Sequence, residues 1–179
     1  ILFFILTWKN FRIAVGVFIV GLPAYLIRFK IGPLPSTLLE LNFGILFLVW
    51  LIKYARADIS RITYLVSRNR ILFSCLLVFL FCSIVSIFIS DQWYISLGQW
   101  RAYFLEPVLV FVMLVGRMSA NDKNALSLNY IVWPLLLSCL PIDLFGIAQY
   151  FTGWHIGNVD WIALQTHRVT SLFLSPNAV

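Results

Sequence analysis

Three carboxylates interrupt long apolar runs of this sequence: Glu40, Glu106 and Asp143. Ionisable side chains within apolar helices are costly, and they usually face a bundle interior or a wet cavity. Glu106 precedes Pro107, and Asp143 follows Pro141 by two residues. Each proline removes a backbone donor and introduces a local defect in a helix. A carboxylate beside such a defect can accept a proton or orient a neighbouring cation. We therefore predict a polar cavity in this part of the protein.

No other catalytic pattern is recognisable in the sequence. His155 and His167 are too far apart for a tight pair of metal ligands, and no cysteine stands near them, so we expect no metal site. There is no phosphate-cradling glycine loop and no nucleophile elbow. Cys75, Cys82 and Cys139 lie inside apolar runs and are interpreted as packing residues. We expect no cofactor.

The elements that position the three carboxylates are predicted from hydropathy. Of the 179 residues, 61% are hydrophobic and only 11% are charged, whereas about 25% are charged in soluble domains. This surplus of apolar side chains requires a bilayer as solvent. We therefore predict an all-α fold, a polytopic transmembrane helical bundle. Crossing the hydrocarbon takes about 17–25 apolar residues, and the candidate spans are 11–27, 36–54, 71–89, 102–116 and 128–151, with a sixth from about 170. Residue 1 is not Met, so we interpret 1–179 as part of a longer membrane domain, truncated at both ends.

The basic residues predict the orientation of these spans, because cytoplasmic connectors are enriched in Lys and Arg. The Lys53–Arg70 connector contains five basic residues and is predicted to be cytoplasmic, which places the Thr152–His167 connector outside. Nine of the thirteen basic residues then lie inside, and four lie outside: Arg28, Lys30, Arg101 and Arg168. The three carboxylates fall in the outer half of the bilayer. Because the basic residues are dispersed between apolar runs, they do not indicate a nucleic-acid partner.

Two further expectations concern packing. Glu40 lies close to the outer connector, so its simplest interpretation is a structural pair with Arg28 or Lys30. In the third span, small residues recur at helical spacing, namely Cys75, Cys82, Ser83, Ser86 and Ser90. Small residues allow the close approach of membrane helices, so we predict that this stripe faces other helices.

Three segments carry a family resemblance: LPAYLIRFKIGPLPSTLLEL (Leu22–Leu41), GQWRAYFLEPVLVF (Gly98–Phe111) and HRVTSLFLSPNAV (His167–Val179). Together and in this order they resemble the N-terminal half of the O-antigen ligase and polymerase family of bacterial membrane glycosyltransferases. The resemblance implies a many-helix, metal-independent enzyme at the outer face of the bacterial cytoplasmic (inner) membrane. Such enzymes transfer a glycan from a polyprenyl diphosphate carrier to a glycan or lipid acceptor during synthesis of cell-envelope polysaccharides such as lipopolysaccharide. The family's principal catalytic residues follow later in the chain, so this part is expected to be inactive alone.

The resemblance also implies roles for four residues. Arg101 and Arg168 are the candidates for the carrier diphosphate, since the planar guanidinium fork fits phosphate oxygens and stabilises a leaving group without a metal. Glu106 and Asp143 are expected to orient these arginines. Arg101 and Glu106 are about one and a half turns apart, so they do not share a face of a straight α-helix. We therefore pair Glu106 with Arg168.

Two other functions remain compatible with the sequence. A transporter or a lipid-linked sugar permease would also use buried carboxylates and kinked helices. In a non-catalytic membrane scaffold, the same charges would form only structural pairs. The residues do not indicate whether the enzyme would be a ligase or a polymerase, nor which glycan it would use.

Overall fold

The computed structural model describes residues 1–31, 34–91, 93–118, 123, 125–153 and 171, and this part of the chain is mostly helical. The elements, in chain order, are α1 (Leu2–Lys9), α2 (Phe11–Val20), a 3-10 helix (Leu22–Leu26), β1 (Arg28–Ile31), β2 (Leu34–Thr37), α3 (Leu38–Lys53), α4 (Ala55–Arg68), α5 (Arg70–Ile89), α6 (Trp93–Trp100), a π-helical turn (Arg101–Leu105), α7 (Glu106–Met118) and α8 (Asn129–Thr152).

The predicted all-α fold is confirmed, but the number of spans is not. Two of these helices, α5 and α8, are long and apolar enough to cross a membrane. They correspond to the predicted spans 71–89 and 128–151. A third candidate passes the same test only if α3 and α4 are taken together, and these two helices are bent by 90° at their junction. The sixth predicted span lies almost entirely outside the described residues.

The predicted span 11–27 is not one helix. Asn10 caps α2 by accepting a hydrogen bond from the backbone N–H of Ile13, and α2 ends at Val20 after ten residues. Gly21 follows as the N-cap of the 3-10 helix, and Pro23 is the second residue of that helix, where a missing backbone donor is harmless. Beyond it, β1 and β2 form an antiparallel hairpin in which Arg28 pairs with Thr37.

The hydrophobic core lies where α1, α2 and α3 meet, and it extends to α7 and α8. Phe11, Ala14 and Val15 of α2 are fully buried, as are Leu46 and Val49 of α3. α2 packs closely on α8, and a Cβ at Gly16 would stand 3.4 Å from the Pro134 ring of α8. This core sets the position of α3, which carries Glu40 near its first turn.

The predicted small-residue stripe on α5 is packed only in part, at Ser83 and Ser90. Cys75, Cys82 and Ser86 are exposed, whereas Ser83 and Ile87 are buried. The Trp100 indole N–H at the end of α6 donates to the Ser83 hydroxyl at 2.9 Å. α5 is apolar around its whole circumference, so its sequence does not specify the packed face.

α3 and α7 are linked at both of their ends. Near their first turns, Glu40 of α3 pairs with Arg101, which lies just before α7. At their last turns, Trp50 of α3 and Arg117 of α7 both bond to Asp58 of α4. The two helices therefore run side by side in the same direction, with one polar cluster at each end.

Candidate functional site

The candidate site is built on the π-helical turn Arg101–Leu105, which joins α6 and α7 without a break in the helical backbone. The backbone N–H of Glu106 donates to the carbonyl of Arg101, five residues earlier. Pro107 explains the widened turn, because a proline ring collides with the carbonyl four residues before it in a regular α-helix. Here that carbonyl belongs to Tyr103. Single π turns of this kind are frequent at functional sites.

The π turn places Arg101 and Glu106 on the same face of the helix. Arg101 Nε lies 3.3 Å from Glu106 Oε1, an ion-pair distance without hydrogen-bond geometry. The sequence-based assignment of Glu106 to Arg168 without a bridge to Arg101 assumed an unbroken α-helix. The direct bridge corrects that assumption, because an i→i+5 turn brings residues five apart into line.

Arg101 also contacts Glu40 from the neighbouring helix α3. The Arg101 Nη2 atom donates to Glu40 Oε2 at 2.6 Å. Arg101 therefore lies between two carboxylates that come from positions far apart in the sequence. The side chain of Arg101 is 42% exposed, whereas each carboxylate is only 18% exposed. The guanidinium is thus the accessible member of the cluster, which we call the Arg101 clamp (Glu40, Arg101 and Glu106).

Local structure at the start of α3 fixes the position of Glu40. Thr37 is the N-cap residue, and its hydroxyl accepts a hydrogen bond from the backbone N–H of Glu40 at 3.2 Å. The Ser36 hydroxyl donates to Glu40 Oε2 at 3.0 Å. The predicted partner of Glu40 was Arg28 or Lys30. Its partner in the structure is Arg101, and the side chain of Lys30 lies outside the described part of the chain.

The charges of the Arg101 clamp do not cancel. Two carboxylates and one guanidinium leave a formal net charge of minus one. Arg101 contacts the two carboxylates through Nη2 and Nε, and no described residue accepts a hydrogen bond from its Nη1. A phosphate group at this position would be repelled by the two carboxylates unless a second cation accompanied it. Among the described residues, no group of three or more His, Cys, Asp or Glu side chains is placed to hold a metal ion.

The other two predicted site residues do not join the clamp in the described structure. Asp143 lies exposed on α8 and forms no ion pair with any described residue. Arg168 lies outside the described residues, as does most of the Thr152–His167 connector. The nearby Ser171 is described, and it is buried against α8, where its backbone N–H donates to Gln149 Oε1 at 2.6 Å.

An apolar groove of about 270 Å³ lies beside the clamp, between α5 and the π turn with α7. Phe79 of α5 and Phe104 of the π turn face each other there, with ring centroids 5.5 Å apart. Pro107 and Phe111 continue its wall along α7. The π turn therefore presents a charged face toward α3 and an apolar face toward α5.

A second polar cluster, at the opposite ends of α3 and α7, was not predicted. Asp58 is fully buried, and its carboxylate accepts hydrogen bonds from the Trp50 indole at 2.9 Å, from Arg61 at 2.7 Å and from Arg117 at 3.3 Å. The Arg117 guanidinium also lies 4.2 Å from the ring centre of Tyr54. One feature of the sequence could have indicated this cluster: Asp58 is the only acidic residue between Lys53 and Arg70.

Comparisons of the chain with protein-family models, with curated proteins and with solved structures found no match.

Proposed function

We propose that this chain is the N-terminal part of a membrane glycosyltransferase that ligates or polymerises a surface glycan. The donor is a glycan on a polyprenyl diphosphate carrier, and the acceptor is a hydroxyl of a second glycan or of a lipid. One observation carries the proposal. Glu40 belongs to the first segment that resembles the O-antigen ligase family and Arg101 to the second, and these two residues are in contact at 2.6 Å.

In this proposal, Arg101 binds the carrier diphosphate at the membrane surface. Glu40 and Glu106 hold the guanidinium from two sides, which leaves Nη1 for a phosphate oxygen. Fixed donors of this kind stabilise a leaving phosphate because they need no reorganisation as charge develops. The net negative charge of the clamp requires a second cation, and we assign this role to Arg168. Asp143 then orients Arg168.

The proposed location is the bacterial cytoplasmic membrane, with the Arg101 clamp on the outer side. The distribution of basic residues supports this orientation, because it places the Lys53–Arg70 segment in the cytoplasm. Long apolar helices α5 and α8 support a membrane protein in general.

Replacement of Arg101 by Lys in the full-length protein tests the proposed role. Lysine keeps the charge but loses the planar fork. We expect transfer of glycan from the lipid carrier to fall about 100-fold, the loss typical of removing one donor to a developing negative charge. Arg56→Lys is a matched control, since Arg56 is exposed on α4 at the opposite end of α3. Equal transfer rates for wild type and Arg101→Lys, at equal expression, would rule out the diphosphate role.

One observation favours a second function, a proton-coupled transporter or permease. The clamp contains two carboxylates and one arginine, so one negative charge is not compensated. Transporters use uncompensated carboxylates to bind protons or cations. Uptake of a lipid-linked sugar into proteoliposomes driven by a pH gradient would support this alternative. Glycan transfer without any gradient supports the transferase.

A further inference from the structure

α4 lies across one end of the bundle. It meets α3 at 90°, and its apolar face packs on α7, with Ala55 and Asp58 buried. Asp58 connects α4 to both helices through its bonds to Trp50 and Arg117. α5, which is long and apolar enough to span a membrane, begins two residues after α4 ends. α4 therefore lies at the level where α5 enters the bilayer, which is the membrane–water interface.

The other face of α4 and the start of α5 carry uncompensated positive charge. Arg56 and Arg68 are exposed on α4, and Arg70 is exposed at the first position of α5. The only acidic residue of this segment, Asp58, is fully buried and already bonded. Among the described residues, none forms an ion pair with these three arginines.

Two of these arginines line a cavity. The turn between α4 and α5, which we call the elbow (residues 67–72), borders an open surface cavity of about 460 Å³ lined by Ser67, Arg68, Asn69, Arg70, Ile71 and Leu72. Its polar lining residues include Arg68 and Arg70, and a guanidinium fork fits phosphate oxygens. Its other side is apolar, with Ile71 82% and Leu72 61% exposed. A free phosphate ion would leave these apolar side chains uncovered, whereas the acyl chains of a lipid would cover them.

We propose that the elbow binds an anionic phospholipid, with its phosphate between Arg68 and Arg70 and the start of its acyl chains on Ile71 and Leu72. The site is independent of the proposed glycan transfer, because the Arg101 clamp lies at the other end of α3 and α7. Bound lipid would hold the α4–α5 junction at the membrane surface.

Native mass spectrometry of the full-length protein, titrated with phosphatidylglycerol in neutral detergent, tests the site. An arginine near an anionic lipid surface contributes about a fivefold gain in affinity. We therefore expect Arg68→Gln and Arg70→Gln each to weaken binding about fivefold, and the double variant about 30-fold. Arg56→Gln is the matched control, because Arg56 lies on the same helix but about 18 Å from Arg68. It should change the affinity less than about twofold.

Three results would overturn the proposal. If Arg56→Gln weakens binding as much as Arg68→Gln, the attraction is diffuse and no elbow site exists. If phosphatidylcholine binds as tightly as phosphatidylglycerol, the headgroup charge is not recognised. If inorganic phosphate displaces the lipid, the cavity is a site for free phosphate. If the double variant does not fold, Arg68→Gln and Arg70→Gln are compared with the wild type instead. An unchanged affinity of both single variants for phosphatidylglycerol would then reject the site.

Discussion

Gly116 of α7 lies directly against α4, and its replacement by Ala tests how α4 is held. A Cβ at this position would stand 3.0 Å from the Cβ of Asp58 and 3.1 Å from Cδ1 of Ile62. The Ile62 methyl group can rotate away, because it ends a flexible side chain. The Asp58 Cβ cannot, because hydrogen bonds hold its carboxylate on three sides. The Gly116→Ala protein must therefore shift α4 by a few tenths of an ångström.

The expected magnitude follows from two opposing effects. Overpacking of this kind costs about 1–3 kcal/mol. Replacing Gly by Ala within a helix gains about 1 kcal/mol, so the net effect of Gly116→Ala on the free energy of unfolding is a loss of about 0–2 kcal/mol. Gly44→Ala in α3 is the matched control, since no atom in the described part of the chain lies within 4 Å of a Cβ there. Gly44→Ala should therefore show only the gain of about 1 kcal/mol in the free energy of unfolding.

Thermal unfolding of the full-length protein in detergent, followed by tryptophan fluorescence, measures both variants. We expect Gly44→Ala to raise the midpoint temperature and Gly116→Ala to lower it or leave it unchanged. The free energies of unfolding of the two variants should differ by about 1–3 kcal/mol. Equal stabilisation by both substitutions would refute the reasoning, because it would mean that α4 is not packed against Gly116 or that Asp58 is not held in place.

Two further predictions concern the clamp and the orientation. Glu40→Gln should lower the free energy of unfolding by about 1 kcal/mol, because solvent weakens an ion pair whose arginine is partly exposed. An unchanged unfolding midpoint would show that the pair with Arg101 is not stabilising. A cysteine at Ser60, which is exposed on α4, in a background without native cysteines, should react with an impermeant reagent only after cells are opened. Labelling in intact cells would place α4 outside and contradict the predicted orientation.

The sequence predicted the helices better than their boundaries and faces. Length and hydropathy located α5 and α8 within a residue or two. The same criteria failed for 11–27, because hydropathy does not register that Gly21 and Pro23 end a helix. The packed face of α5 was also unpredictable. A helix that is apolar all round carries no periodicity from which its buried side can be inferred.

The site was predicted in part, and the missed features have physical causes. Glu40, Arg101 and Glu106 were all recognised as charges near the ends of apolar runs. The Arg101–Glu106 contact was missed because it depends on a π turn. Pro107 indicated a defect in the helix, but it did not indicate that the defect would be a π turn. The pairing of Glu40 with Arg101 is a contact between distant segments, which spacing along the chain does not encode.

The π turn has a further consequence for chain length. A turn closed by an i→i+5 hydrogen bond contains one residue more than an α-helical turn. If one residue between Arg101 and Leu105 were deleted, α6 and α7 could join as a regular helix and keep their present faces. Arg101 and Glu106 would then be four residues apart, and residues four apart are neighbours on one face of an α-helix. A relative that is one residue shorter here would therefore keep both its helix packing and the Arg–Glu pair, whereas a regular α-helix of the present length would keep neither.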